Sequence, residues 1–186
     1  MRIGLLGGSF NPPHRGHALV TRIALTRLRL DRVWWLVTPG NPLKPQADLA
    51  AVHARVEAAR GLIAGPRVAV TDIEAQIGAR HTCDTLAWLA RRAAKVRFVW
   101  IMGADNLRQF HLWRHWRDIA DLVPIAVVDR PGSTLKATSS RAAVALGPWR
   151  VSETEAARFA DLRPPALLFL HGPRSELSST VLRRSG

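Results

Sequence analysis

Short, nearly continuous apolar runs recur along this chain, and longer segments with a helical pattern separate them. Such runs are typical of strands that are buried on both faces of a parallel sheet. An alternation of strands and helices predicts an open, doubly wound α/β sheet with right-handed crossovers. The predicted strands are residues 2–7, 32–37, 67–71, 97–102, 124–128 and 166–170.

The stretches between these runs are predicted to be helices. In the first of them, Leu19 and Ile23 are separated by one helical turn, and Leu30 continues the same side. Leu25 or Thr26 fills the turn between them, which predicts one face turned inward. No internal repeat, low-complexity tract or second-domain linker interrupts the pattern, so residues 1–186 are predicted to form one domain. The helical stretches are residues 15–30, 49–64, 82–94 and 104–122.

The segment 131–147 gives the weakest secondary-structure signal. It is rich in Ser, Thr and Ala, which predicts a loop with a poor helix at residues 139–146.

Positive charge is the most unusual feature of the composition. The 27 basic residues exceed the 14 acidic ones by 13, and all but three of the basic residues are arginine. The arginines are scattered rather than gathered in runs, which favours a solvated basic surface. A second interpretation is a field that attracts small polyanions such as nucleotides. Nucleic-acid binding comes third, because the chain lacks the motifs and the interleaved aromatic residues of such proteins.

The remaining composition excludes several classes of protein. Hydrophobic residues make up 47% and charged residues 22%, which excludes disordered and fibrous chains. No apolar stretch approaches the roughly 20 residues that a membrane span needs, and the apolar run at the start is too short for a signal peptide. The single cysteine, Cys83, excludes an intrachain disulfide and a multi-cysteine metal site. A cytoplasmic protein is expected.

The loop after the first predicted strand, GGSFNPPHRGH at residues 7–17, holds the densest group of candidate functional residues. Ligands of open α/β sheets bind beyond the carboxyl ends of the strands. Glycines let the backbone approach a ligand closely, and free amides at a helix start favour an anion. His14 and His17 lie three residues apart, so both rings face one side of the first turn. Each alone could be a cap or surface residue, and a His-x-x-His metal site lacks an obvious third ligand.

Two motifs in this chain resemble the signatures of the nucleotidylyltransferase superfamily. The hallmark His-x-Gly-His reads HRGH at residues 14–17, within the matching segment GSFNPPHRGH. The second element, Ile/Leu-Ser-Ser-Thr-x-Ile/Leu-Arg, is matched by LSSTVLR at residues 177–183. The two motifs occur in the expected order, and together they are far more specific than either alone.

Further segments resemble the bacterial nicotinate-mononucleotide adenylyltransferases within that superfamily. Related coenzyme-A-pathway adenylyltransferases share the two end motifs but not these internal ones. His81 departs from the pattern, because the family often has an aromatic residue there. The matching segments are TPGNPLK at 38–44, TCDTL at 82–86, IMGADNL at 101–107 with Phe110, Trp113 and Trp116, and DRPG at 129–132.

The resemblance implies a Rossmann-like nucleotidylyltransferase domain and an adenylyltransferase of NAD biosynthesis. Such an enzyme joins nicotinate mononucleotide to the adenylyl group of ATP and releases pyrophosphate. Mg²⁺ is expected to arrive with ATP, without a metal site in the protein. The alternatives are the same fold acting on nicotinamide mononucleotide or phosphopantetheine and, outside enzymes, a basic nucleic-acid-binding module. Neither a nucleic-acid nor a membrane partner is expected, and a homo-oligomer is left open.

The resemblance also implies roles for individual residues, with His14, His17 and Arg183 as the catalytic ones. The implied ATP-binding residues are Gly8, Ser9, Phe10, His14, His17, Asp105, Ser178, Ser179, Thr180 and Arg183. The implied residues for nicotinate mononucleotide are Asn11, Lys44, Thr82, Thr85, Trp113 and Arg130.

Several of these residues also have a purely structural interpretation. The hydroxyl residues at 178–180 favour a helix cap, and Lys44 could be an exposed loop residue. Asp105 could cap a helix that begins at Asn106. Tryptophans three residues apart, at 113 and 116, are spaced as packing residues of a core.

Overall fold

The computed structural model describes residues 1–40, 48–63, 65–128 and 137–172, and these form a seven-stranded sheet. Every pair of neighbouring strands is parallel, in the order β3-β2-β1-β4-β5-β7-β6. The strands are β1 Arg2–Gly8, β2 Arg32–Val37, β3 Val68–Thr71, β4 Arg97–Gly103, β5 Ile125–Val128, β6 Arg150–Val151 and β7 Leu167–Leu170.

Helices connect the strands on both faces of the sheet. Two 3₁₀ helices, Gly147–Trp149 and Glu153–Asp161, flank β6. The α-helices are α1 Arg15–Arg27, α2 Val52–Leu62, α3 Ile73–Gln76, α4 Thr82–Arg92, α5 Ala104–Phe110, α6 Trp116–Leu122 and α7 Arg141–Ala145.

The hydrophobic core has two layers, one on each face of the sheet. Along β4, Trp100 and Met102 belong to the layer under α4, α5 and α6. The alternate residues Val99 and Ile101 belong to the layer under α1 and the 3₁₀ helix Glu153–Asp161. Burial of both faces is the reason that the central strands read as continuous apolar runs.

The strand order reverses between β1 and β4, and this reversal creates the crevice of the fold. The chain runs from β1 outward to β3 on one side and from β4 outward on the other. The loops that leave the carboxyl ends of β1 and β4 therefore separate, which is where ligands bind in open α/β sheets.

The structure confirms the predicted parallel sheet and places six strands within two residues of their expected bounds. Ile23 and Leu30 are buried as predicted, and Leu19 and Leu25 pack against the same core layer, whereas Thr26, the alternative to Leu25, is exposed. The poor helix expected at 139–146 corresponds to α7. The Ser140 side chain caps it by accepting a hydrogen bond from the Ala143 amide at 3.4 Å. The two-residue strand β6 was missed, because so short a strand carries no periodicity.

None of the helices in the described ranges combines the length and the apolar character that crossing a membrane requires.

Candidate active site

A cavity of about 250 Å³ opens at the crevice between β1 and β4. Gly7, Gly8 and Ser9 from the end of β1 form one wall of this cavity, and Thr38 and Gly40 follow β2. The volume suits part of a small molecule, whereas a nucleic acid would need an open groove. The predicted ligand site and this cavity thus share the glycine-rich loop.

The two histidines of the HRGH motif close the first turn of α1 by capping it. His14 is the N-cap residue, and its Nδ1 accepts a hydrogen bond from the Gly16 amide at 3.1 Å. The Nδ1 of His17 in turn accepts from the backbone amide of His14 at 3.2 Å. The ring centroids lie 3.9 Å apart, so the rings share one side of the turn as the spacing predicts.

These hydrogen bonds determine which ring nitrogen of each histidine carries the proton. A neutral imidazole has one donor and one acceptor nitrogen, and both Nδ1 atoms act as acceptors here. The protons therefore sit on the Nε2 atoms of His14 and His17. Each ring therefore has its N–H on the side opposite the cap.

The loop before the histidines is supported by an aromatic stack beneath it. Phe10 has a φ of 46°, a left-handed conformation that costs energy for a residue with a side chain. Its fully buried ring stacks on Trp35 at 4.8 Å and lies 4.7 Å from the ring of His17. The burial of this ring offsets the backbone strain and holds the loop against α1.

A buried carboxyl group, Glu74, forms part of the cavity wall, which neither His14 nor His17 lines. It is 7% exposed and accepts a hydrogen bond from the Thr85 hydroxyl at 3.3 Å. Burial raises the pKa of Glu74, against hydrogen bonds from Thr38 and Thr85 that lower it. Sequence reasoning missed this residue, although an acid three positions after a predicted strand is a signal that could have found it.

The two tryptophans at 113 and 116 differ in their burial and in their contact with the cavity. Trp113 is half-buried, lines the cavity and meets the rings of Trp100 and Phe110 edge-on at 6.1 and 5.4 Å. Trp116 is 8% exposed and belongs to the core. The structural interpretation therefore holds for Trp116, while Trp113 offers a surface to a ligand.

Three residues that the resemblance assigns to nicotinate mononucleotide, Asn11, Thr82 and Thr85, differ in their access to the cavity. Thr82, the first residue of α4, lines the cavity. Thr85 is fully buried beneath it, with its hydroxyl on Glu74. The Asn11 amide donates to the Asp48 carbonyl at 2.8 Å and so ties the β1 loop to the approach to α2.

Asp105 occupies the second position of α5 and is exposed. The N-cap of this helix is Gly103, so the alternative interpretation of Asp105 as a helix cap is wrong, and its role in ATP binding stays a prediction. Within residues 1–40, 48–63, 65–128 and 137–172, no three His, Cys, Asp or Glu side chains are grouped as metal ligands. The predicted residues Lys44, Arg130, Ser178, Ser179, Thr180 and Arg183 lie outside the described residues.

Comparisons with known proteins agree with this arrangement. Residues 5–185 match the cytidylyltransferase-like family. A Methylorubrum extorquens protein named "Probable nicotinate-nucleotide adenylyltransferase" is 60% identical over 98% of this chain and 99% of its own length. An Agrobacterium fabrum protein of the same name is 53% identical over 100% of this chain and 99% of its own.

A solved structure has the same fold at low sequence identity. The Plasmodium falciparum nicotinic acid mononucleotide adenylyltransferase complexed with NaAD has a TM-score of 0.72 and 16% identity, covering 98% of this chain and 82% of its own. This likeness confirms the Rossmann-like fold. With relatives 53–60% identical over nearly its whole length, the chain belongs to the cytidylyltransferase-like family, among the nicotinate-nucleotide adenylyltransferases.

Proposed function

We propose that this protein transfers the adenylyl group of ATP to nicotinate mononucleotide, forming nicotinate adenine dinucleotide and pyrophosphate. The observation that carries the proposal is the capped histidine pair, whose two Nε2 donors stand at the start of α1 beside the crevice. Relatives 53–60% identical that are named for this activity support the choice of acceptor.

The reaction needs positioning and positive charge more than it needs a protein base. A 5′-phosphate oxygen of nicotinate mononucleotide attacks the α-phosphorus of ATP and forms the new O–P bond. The bond from that phosphorus to the oxygen bridging to the β-phosphate breaks, and pyrophosphate leaves with the electron pair. The attacking phosphate is already anionic at neutral pH. Donors that hold charge on the α-phosphate and the leaving group therefore do most of the work.

The phosphate side of the site is assigned to the β1 loop and the start of α1. His14 and His17 donate from Nε2 to phosphate oxygens, and the backbone amides of residues 8–10 lie beside them. ATP brings its divalent cation, for which we propose Mg²⁺, held mainly by phosphate oxygens and water. Residues 178–180 and Arg183 complete this half in the resemblance, as donors to the polyphosphate.

The acceptor side is assigned to the wall formed by α4 and Trp113. The pyridine ring stacks on Trp113, and its carboxylate lies toward Thr82, where the amides of a helix start favour an anion. Arg80 and Arg114 also line this cavity. The acidic residue in its described lining is Glu74, and burial raises the pKa of that carboxyl group. This balance of charge suits an acceptor with both a phosphate and a carboxylate. Lys44 and Arg130 are proposed as further contacts to its phosphate.

An acceptor comparison tests the proposal. Pyrophosphate release is measured with ATP and Mg²⁺ plus nicotinate mononucleotide, nicotinamide mononucleotide or phosphopantetheine. We expect the highest kcat/KM with nicotinate mononucleotide, by about tenfold or more over the amide, because an unpaired buried polar group costs about 1–3 kcal/mol. Turnover of phosphopantetheine without turnover of nicotinate mononucleotide would reject the proposal.

Replacing Trp113 with alanine tests the acceptor half by itself. Stacking of an aromatic pair contributes ~0.5–1.5 kcal/mol beyond area burial, so we expect KM for nicotinate mononucleotide to rise roughly two- to tenfold. KM for ATP should change little.

The matched control is Trp116→Ala, three residues along and in the core. It should lower the melting temperature strongly and affect both substrates alike, since removing a core tryptophan costs about 3–5 kcal/mol. If Trp113→Ala instead melts as low as the control and keeps its acceptor KM, then Trp113 is a core residue.

A further inference from the structure

A buried arginine, Arg55 on α2, lies behind the crevice and contacts the backbone of both loops that form it. Its side chain is 2% exposed. Nε donates to the carbonyl of Ala50 at 2.7 Å, and Nη1 donates to the carbonyls of Ser9 at 2.6 Å and Thr38 at 2.8 Å. Nη2 donates to the carbonyl of Pro39 at 3.3 Å. One guanidinium thus joins the end of β1, the end of β2 and the start of α2.

This cation has backbone dipoles as partners in place of a counter-ion. In the part of the chain that the structure describes, no carboxylate lies within ion-pair distance of Arg55. Burial lowers the pKa of the guanidinium, yet an arginine stays charged in proteins. Burying an ion without an opposite charge is costly and needs several well-placed hydrogen bonds. Anchoring a surface loop would not require such an arrangement.

The hydrogen bonds of Arg55 also orient two amide groups. The carbonyl and the N–H of a trans peptide point in opposite directions, and neither peptide concerned is cis. Because Arg55 holds the Ser9 carbonyl, the N–H of Phe10 points away from the guanidinium. Because it holds the Pro39 carbonyl, the N–H of Gly40 does the same. Neither amide donates to an acceptor within the described residues.

Ser9 and Gly40 are both part of the cavity wall, so each of these two peptides has one residue at the cavity, while Phe10 itself is fully buried. A charge-assisted hydrogen bond on a carbonyl polarises its peptide and strengthens the donor on the other side. Backbone amides that are polarised and have no acceptor in the protein are the kind of donor that binds phosphate.

We propose that Arg55 is a positioning residue for phosphate binding, which sets the peptides after Ser9 and Pro39 so that the amides of Phe10 and Gly40 donate to substrate phosphates. The proposal rests on the adenylyl transfer proposed above. Arg55 itself is set back from the substrate, since it is 2% exposed and four of its five N–H donors are held by carbonyl oxygens. Its effect on the reaction passes through the two loops.

A second arginine of the chain provides a matched control. Arg67 also donates to backbone carbonyls, those of Leu30 and Asp31. These residues precede β2, at the end of the sheet opposite the crevice. A lysine at either position keeps the positive charge but loses the fork that reaches several carbonyls at once. Arg55→Lys and Arg67→Lys therefore remove the same chemistry from two places.

The test measures kcat, the KM for ATP and for nicotinate mononucleotide, and the melting temperature of both variants. We expect Arg55→Lys to lower kcat/KM roughly 10- to 100-fold, because a displacement of about 1 Å costs that much at a reacting site. Arg67→Lys should lower the melting temperature while kcat/KM stays within about threefold of wild type. Equal kcat/KM for the two folded variants would overturn the role of Arg55. A wild-type protein that releases no pyrophosphate would instead reject the proposed function.

A measurement on the wild-type chain applies even if Arg55→Lys does not fold. Amide resonances are followed by NMR during titration with ATP and then with nicotinate mononucleotide. We expect the Phe10 and Gly40 amide protons to move downfield, as amides do when they donate to phosphate. Binding of both nucleotides that leaves these two resonances unmoved would overturn the proposal.

Discussion

Replacing His17 with alanine should lower kcat by roughly 10²- to 10³-fold and change KM for ATP far less. That is the loss expected when one preorganised donor to developing charge is removed. The structure supplies the reason, since the Nδ1 of His17 accepts from the backbone amide of His14 and leaves Nε2–H as the donor. Steady-state pyrophosphate release, with each substrate varied in turn, measures both constants.

His17→Asn separates the catalytic donor from the helix cap. The Asn carbonyl oxygen reaches the position of Nδ1 and can accept from His14, but the shorter side chain has no donor where Nε2 was. We expect this variant to melt near the wild-type temperature and to be as slow as His17→Ala. An effect confined to KM would mean that His17 holds ATP only in its ground state. Full activity of His17→Asn would exclude the ring as a donor.

Gly7→Ala should destabilise the fold by about 1–3 kcal/mol, the usual cost of overpacking a well-packed core. A Cβ at this position would lie 2.5 Å from Cη2 and 2.9 Å from Cζ2 of Trp100. The indole is 1% exposed and meets the ring of Trp113, so it cannot swing aside freely. Denaturant unfolding of wild type and variant gives the difference in free energy.

Two variants serve as controls for this prediction. Gly61→Ala lies inside α2 with nothing within 4 Å of its Cβ, and it should stabilise the protein by about 0.5–1 kcal/mol. Trp100→Phe removes the atoms that the new methyl group meets. The double variant with Gly7→Ala should therefore lose less than the sum of the two single losses. If Gly7→Ala unfolds like wild type, the strand and ring have more room than the structure gives them.

Much of the fold could be predicted because its causes are local or repeat along the chain. Strands buried on both faces must be apolar at every position, so β1, β2 and β4 stand out as runs. The shared side of His14 and His17 follows from a spacing of three in a helix, and the structure places their rings 3.9 Å apart.

Other parts could not be predicted because they depend on neighbours distant in sequence. Thr85 was predicted as a ligand contact and Glu74 was not singled out, and the structure buries both against each other. The sequence places Phe10 in a loop. In the structure its ring packs against the ring of His17, with the centroids 4.7 Å apart. Periodicity left Leu25 and Thr26 open as the inward residue of α1, and only packing on the sheet decided for Leu25.

The sequence alone determined the order of the six longer strands, the crevice-side loop and the histidine pair, because hydrophobic periodicity and helical spacing act within a few residues. Only the tertiary structure decided the burial and the contacts of Arg55, one arginine among many in a basic chain. Its burial depends on carbonyls at Ser9, Thr38, Pro39 and Ala50, which meet when β1, β2 and α2 pack together. Every residue has a backbone carbonyl, so no pattern of side chains in the sequence shows which carbonyls a buried arginine will contact.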